Sequence, residues 1–369
     1  MKRRHVIFAT VLAVVLSAGF RYDAGRSAII NPNNMYLYDT LLLVSDSLNG
    51  LLIYSVADEQ TPRYRAHIPV RGNHGMAMKD SIIYVNSWGA ILAMRLVNDT
   101  NYEVTAVIKD DPYHSDMGYF ENYGHASYTG GLGCSAAPLA TDAYGGGTES
   151  GGSGGTGGSY AIFAVIDSFL YYINNRELIT MDISDAAKPR KLSETSVDWS
   201  IETLFPTRDY LFIGGSSGMY VMDRTNPSQP TVKGSITHFR ARDPVVVKDS
   251  MAYVTLRAGF NSRIITTDEL MVVNLALITS PKLVKEIPLK TPYGLAIADT
   301  LLFVAQGSNG WTLFGLSDPH NPASLKSWST PDVKDFIWIG DRLYVMCFDR
   351  IKIYSVSDPL NPVLVSDVK

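Results

Sequence analysis

The chain has 369 residues, 46% hydrophobic and 18% charged, an ordinary composition for a globular protein, with 30 Gly and 21 Tyr that lean toward strands and turns. A formal charge of −4 argues against nucleic acid and anionic membrane surfaces as partners. With only Cys134 and Cys347 present, the fold cannot depend on a disulfide framework, although one Cys134–Cys347 bond stays open.

In chain order, Lys2, Arg3 and Arg4 precede an apolar run over 6–16 and then Ser17, Ala18 and Gly19. That is the three-part layout of a secretory signal peptide, and the run is too short to span a bilayer. Cleavage after residue 19 removes three basic residues and takes the formal charge from −4 to −7. No Cys stands near Phe20 to make a lipoprotein. The expected layout is a signal peptide over 1–19, an N-terminal segment over 20–33 and a single domain over 34–369.

From residue 34 the sequence is periodic, and an Asp that separates two apolar runs marks the period. It recurs at Asp39, Asp80, Asp167, Asp209, Asp249, Asp299 and Asp341, with spacings of 41, 87, 42, 40, 50 and 42 residues. Subtracting two insertions, 113–159 and roughly 256–266, brings every unit to about forty residues. First strands are predicted at 35–38, 76–79, 161–166, 204–207, 244–248, 295–298 and 336–340. A second run follows each Asp, as in Leu301-Leu302-Phe303-Val304, and a third follows a polar turn, as in Ile351-Lys352-Ile353-Tyr354. A Pro-bearing turn such as Ser357-Asp358-Pro359 then leads to a short fourth strand, for example Val363-Leu364-Val365. Helical 3.6-residue periodicity is missing after residue 30. Four short strands in each of seven units predict an all-β chain, a seven-bladed β-propeller of four-stranded antiparallel blades. Ring closure would pack blade 7 against blade 1, with Ala28-Ile29-Ile30 adding to an outer edge.

The third strands Met219-Tyr220-Val221-Met222-Asp223 and Leu270-Met271-Val272-Val273-Asn274, with the Pro turn between units, resemble the LVIVD-repeat family of bacterial propellers. This resemblance covers residues 34–369 and implies the propeller fold, but no activity. Blade 2 departs from it, since no Pro follows Leu96-Val97-Asn98-Asp99, and blade 5 keeps only Ser280-Pro281.

Strand order gives the blades two faces. The Asp turns lie on one, while the loops between second and third strands and the connections between blades lie on the other, where both insertions fall. The longer insertion opens with His114, Asp116, Glu121 and His125 among aromatics and ends in nine glycines over 145–158. The glycine tail reads as a flexible linker. No pair among the four ionisable residues has the spacing of a known metal site, so neither metal nor cofactor is expected. Gly-x-Ser-x-Gly, His-Glu-x-x-His and P-loop motifs are missing.

Non-repeated polar and aromatic residues should crowd the channel mouth on the insertion-bearing face: His74, Trp88, Trp199, Glu202, Arg240, Arg242, Asp243, Tyr293, Lys334 and Asp335. The expectation is an exported monomer in the periplasm, at the cell surface or secreted, which binds a protein or glycan there without catalysis. The alternative is a hydrolase acting on a sugar or lactone through Glu202, Asp243 and Asp335.

Overall fold

The second and third runs of each unit are apolar at consecutive positions, as in Leu41–Asp46 and Gly50–Ser55, where nearly every residue is buried. Strands read this way when both of their faces are covered. The computed structural model, which describes residues 28–87, 89–98, 101–109, 155–237, 241–242, 244–258 and 268–369, shows what covers them. Seven antiparallel sheets, each built on four consecutive strands, stand as blades around a ring. The inner strands are Pro32–Tyr38, Met76–Lys79, Phe163–Ile166, Ile201–Pro206, Val245–Lys248, Leu295–Ala298 and Val333–Ile339. Outer strands such as Lys282–Pro288 are largely exposed.

The core is accordingly a set of wedges between blades. Met35, Val44, Ile337 and Met346 fill the wedge between blades 7 and 1, while Phe303, Trp311, Phe336 and Val345 fill the one between blades 6 and 7. Val221 and Val254 join blades 4 and 5, Tyr253 and Leu302 join 5 and 6, and Tyr171 and Leu211 join 3 and 4. A continuous cluster through Leu43, Tyr84 and Phe163 spans blades 1 to 3. Each fully buried aliphatic or aromatic side chain contributes about 1.5–3 kcal/mol.

A polar staple recurs between these wedges. Tyr84 Oη donates to the carbonyl of Ala186 (2.7 Å), Tyr171 Oη to that of Pro227 (2.8 Å) and Tyr253 Oη to that of Pro319 (2.9 Å). Each tyrosine lies in a second strand, and each acceptor is the corresponding residue of the next blade's Pro-bearing turn. Blade 7 closes the ring in the same way, with Tyr344 Oη donating to Glu59 Oε1 of the blade 1 turn at 3.1 Å and Arg342 paired with the same carboxylate. Closure uses no shared strand. Ile29 enters the wedge between blades 7 and 1, and the amides of Ile30 and Asn31 donate to Asp46 Oδ2 at 2.7 Å each. The expected addition of 28–30 to an outer edge is therefore corrected: the segment is held over the loop of blade 1.

Asp39, Asp80, Asp167, Asp249 and Asp299 have φ between 48° and 56°, the left-handed region that Asp tolerates better than most residues. In blade 7 Gly340 takes that position (φ 57°), with Asp341 one place later. Blade 4 turns differently, with Thr207 Oγ1 accepting from the Tyr210 amide at 3.2 Å. The seven-fold Asp marker thus covers five equivalent turns and two variants. The Asp that ends the LVIVD-type strand acts separately from these. Asp182 and Asp223 accept from the amides of Ser184 and Thr225 at 2.9 Å, which starts the Pro turn. Every outer strand also carries a β-bulge against its neighbour, which twists the free edge and discourages edge-to-edge pairing.

Removing 333–369 is expected to uncover apolar faces on blades 6 and 1 and leave a chain that aggregates and loses its cooperative melt, checked by size-exclusion chromatography and circular dichroism. Replacing Tyr84, Tyr171 and Tyr253 together by Phe should cost about 3 kcal/mol in urea unfolding, about 1 kcal/mol for each lost hydrogen bond at well-separated sites.

Candidate functional site

Residues 155–160, the end of the long insertion, lie inside the ring. Thr156–Gly157 pairs antiparallel with the inner strand of blade 1, with Tyr36 opposite Gly157 and Leu37 opposite Thr156. The flexible-linker expectation for 145–158 is corrected from Gly155 onward, and 145–154 lie outside the described residues. The glycines here are a steric fit. A Cβ on Gly155 would collide with Leu37 O, and one on Gly158 with the Asp335 carboxylate. Two small voids of about 40 Å³ each lie beside the segment.

Asp335 holds this plug. It is fully buried, and its Oδ1 accepts from Ser159 Oγ (2.6 Å) and the Ser159 amide (3.2 Å), while Oδ2 accepts from the Tyr160 amide (3.1 Å). Ser159 Oγ in turn accepts from the Leu295 amide at 2.9 Å, and Asn34 Nδ2 donates to Tyr160 O at 2.8 Å, so blades 1, 6 and 7 grip one turn of chain. Gly294 leaves room for the carboxylate, since a Cβ there would strike Asp335 Oδ1. Burial pushes the Asp335 pKa up to about 6, although four hydrogen bonds favour its ionised form.

The connection-face mouth lies above this plug. Three inner strands begin with a β-bulge there, which sets Asn33, Glu202 and Lys334 out of the alternating pattern. Such bulges re-aim side chains at the rims of rings and barrels. Lys334 Nζ donates to Pro32 O at 2.7 Å and stands 5.1 Å from the Phe348 ring centroid. Phe348 meets Tyr293 edge-on at 5.6 Å, and Arg257 lies 3.8 Å over the Tyr293 ring. Burial, and then the Arg257 charge, push the Lys334 pKa down. Across the ring Trp199 is 74% exposed, with the Arg176 guanidinium 4.3 Å from its ring centroid.

Of the ten sequence candidates, the structure brings Tyr293 and Lys334 into one group. His74 is an exposed mouth residue whose amide donates to Asn86 Oδ1 at 2.9 Å, and Trp199 stands with Arg176 at the rim between blades 3 and 4. Glu202 is half-buried on its bulge. Asp335 lies in the channel below the mouth, engaged with Ser159 and Tyr160. Trp88, Arg240 and Asp243 lie outside the described residues, and of Arg242 only the backbone is described, opposite Arg257 in a short strand pair. Arg257, Phe348 and Arg176 were not legible as site residues. Arg257 falls in a stretch read as insertion, whereas the strand Met251–Ala258 continues through it. The aromatic residue in the loop after Cys347 is the signal that could have marked Phe348. A concavity of about 970 Å³ lies on the opposite face, over the turns of blades 4 to 6 and lined by Phe205, Arg208, Tyr210, Lys248, Asp249 and Leu277.

Residues 208–238, the three outer strands of blade 4, match the LVIVD repeat. The chain is thus a seven-bladed β-propeller with one stretch similar to the LVIVD repeat. No curated protein matches it significantly. Solved structures share the fold at low identity. A protein of Lactobacillus plantarum (11% identity, TM-score 0.61) covers 92% of this chain and 96% of its own. The periplasmic gluconolactonase of Pseudomonas aeruginosa (9%, 0.59) covers 91% and 96%, and BamB of Moraxella catarrhalis (9%, 0.54) covers 87% and 82%.

An aspartate with an ordinary pKa of 3.8 when unfolded and about 6 when folded binds its proton more tightly in the native state. Its contribution to stability is therefore greatest below pH 4 and is lost as the pH rises through 6, by about 3 kcal/mol in all. Urea unfolding from pH 4 to 7 should show wild type losing stability relative to Asp335→Asn by up to that amount; parallel profiles would remove the carboxylate from this account.

Proposed function

We propose that the protein is an exported, non-catalytic binding or scaffolding propeller, acting as a monomer, that recognises a protein or glycan through its connection face. The observation that carries this reading is the occupied channel. The Asp335 carboxylate, which a channel-mouth hydrolase would need for chemistry, serves as the anchor of residues 159–160. The same face exposes groups suited to recognition: Trp199 with Arg176 at one side, and Arg257, Tyr293, Lys334 and Phe348 at the other. Aromatic and Arg side chains give much contact area for little ordering cost, and they dominate hot spots once a partner excludes water. Export is supported by the basic, apolar and small-residue order of 1–19, and the fold itself occurs in a periplasmic gluconolactonase.

Affinity capture from the native envelope with the mature protein as bait tests the reading. Trp199→Ala and Tyr293→Ala should each weaken a captured partner by about 1–3 kcal/mol with a smaller change in melting temperature. Asp209→Asn and Asp299→Asn, beside the large concavity on the opposite face, should leave binding unchanged; the reverse pattern would move the working surface to that face.

A further inference from the structure

We propose that Arg257 and Lys334, framed by Tyr293 and Phe348 at the connection-face mouth, form a binding site for an oxyanion, a carboxylate or phosphate group carried by the ligand of that face. This rests on the reading of the connection face as the working face and names the chemistry it recognises.

The two cations come from different blades, and an edge-on aromatic pair links them: Arg257 lies over Tyr293, Tyr293 meets Phe348, and Phe348 faces Lys334. Among the described residues neither cation forms a salt bridge. The two carboxylates that act on Lys334 are committed elsewhere. Asp46 accepts from the amides of Ile30, Asn31, Leu48 and Asn49, and Asp335 accepts from Ser159 and Tyr160. Among the described residues Lys334 Nζ, with three hydrogens to give, donates to the carbonyl of Pro32. Each cation raises the cost of the other, and burial raises it further for Lys334.

Two neighbouring positive charges with no counter-ion among the described residues break a rule that sequences usually respect, and such breaks concentrate at functional sites. An oxyanion resolves the conflict. The guanidinium offers a planar fork for two oxygens, the ammonium offers a point charge with free donors, and the aromatic flanks limit competing water. The bulge at Lys334 is the local device that points the ammonium into the mouth while Asp335 turns into the channel.

Calorimetric titration of the mature protein at constant ionic strength with inorganic phosphate, and separately with glucuronate, tests the site and tells the two oxyanion sources apart. At least one should bind saturably, and Arg257→Gln and Lys334→Gln should each weaken it about tenfold or more, as the loss of a charge-assisted contact does. Lys248→Gln on the opposite face should not change it, and Lys334→Arg should retain most of it. Lys334→Gln also removes the bond to Pro32, so Arg257→Gln, which touches no ring-closing contact, decides the matter if the lysine variant melts early. No saturable binding of either anion, or binding that both glutamine variants leave unchanged, overturns the site. Trp199→Ala separates this from the wider reading: anion binding lost in Arg257→Gln beside partner affinity that ignores Trp199 keeps the oxyanion site and removes the docking face. Partner binding that needs Trp199 and ignores Arg257 and Lys334 does the opposite.

Discussion

Each blade is apolar on both faces, so a blade has no stable existence apart from two neighbours, and the rest of the structure follows from that burial. The second and third strands are continuous apolar runs because nearly every side chain in them is buried. Contacts between wedges are non-directional, and the tyrosine staples supply register by tying the second strands of blades 2, 3 and 5 to a defined carbonyl in the next blade's turn. Blade 7 keeps this geometry while changing its chemistry, since its tyrosine meets the Glu59 carboxylate and Arg342 neutralises that carboxylate. A ring that closes without a shared strand has its weakest point at that interface, and the charged closure there adds attraction where no covalent continuity exists.

Closing seven blades creates a second problem at the axis, where the inner strands cannot fill the channel themselves. The chain solves it with its own backbone. A segment without side chains at Gly155, Gly157 and Gly158 is narrow enough to enter, but its amides then need acceptors away from water. Asp335 is that acceptor, and the penalty for burying its charge appears as a carboxyl that titrates near pH 6. The glycines and the buried aspartate are therefore one device, and neither makes sense without the other.

Fold class, blade number and strand order were legible because they rest on repetition, which a single sequence displays in full. The departures have local causes. Inner strands predicted to begin at residues 35, 204 and 336 begin at Pro32, Ile201 and Val333, and in each case the early part contains a bulge that breaks the alternation on which strand reading depends. Glycines over 155–158 read as flexible because composition cannot distinguish a residue chosen for freedom from one chosen for lack of volume. Arg257 was hidden in an insertion whose first residues continue a strand. The site was less legible than the fold for the same reason throughout: what repeats can be counted, while the mouth is made of what does not repeat.

That contrast also separates the two faces. On the Asp-turn face the carboxylates are engaged locally and alike in several blades, Asp58 with the amide of Gln60, Asp318 with that of His320 and Asp358 with that of Leu360. Bulges at the inner strands occur instead at the connection-face ends of blades 1, 4 and 7. At blade 7 a single bulge sends consecutive residues in opposite directions, with Lys334 reaching over the mouth to Pro32 and Phe348 while Asp335 holds the plug below. The bulge cannot relax without disturbing both. One peptide unit thus joins the proposed oxyanion site at the mouth to the plug, since the buried Asp335 carboxylate follows Lys334 directly in the chain.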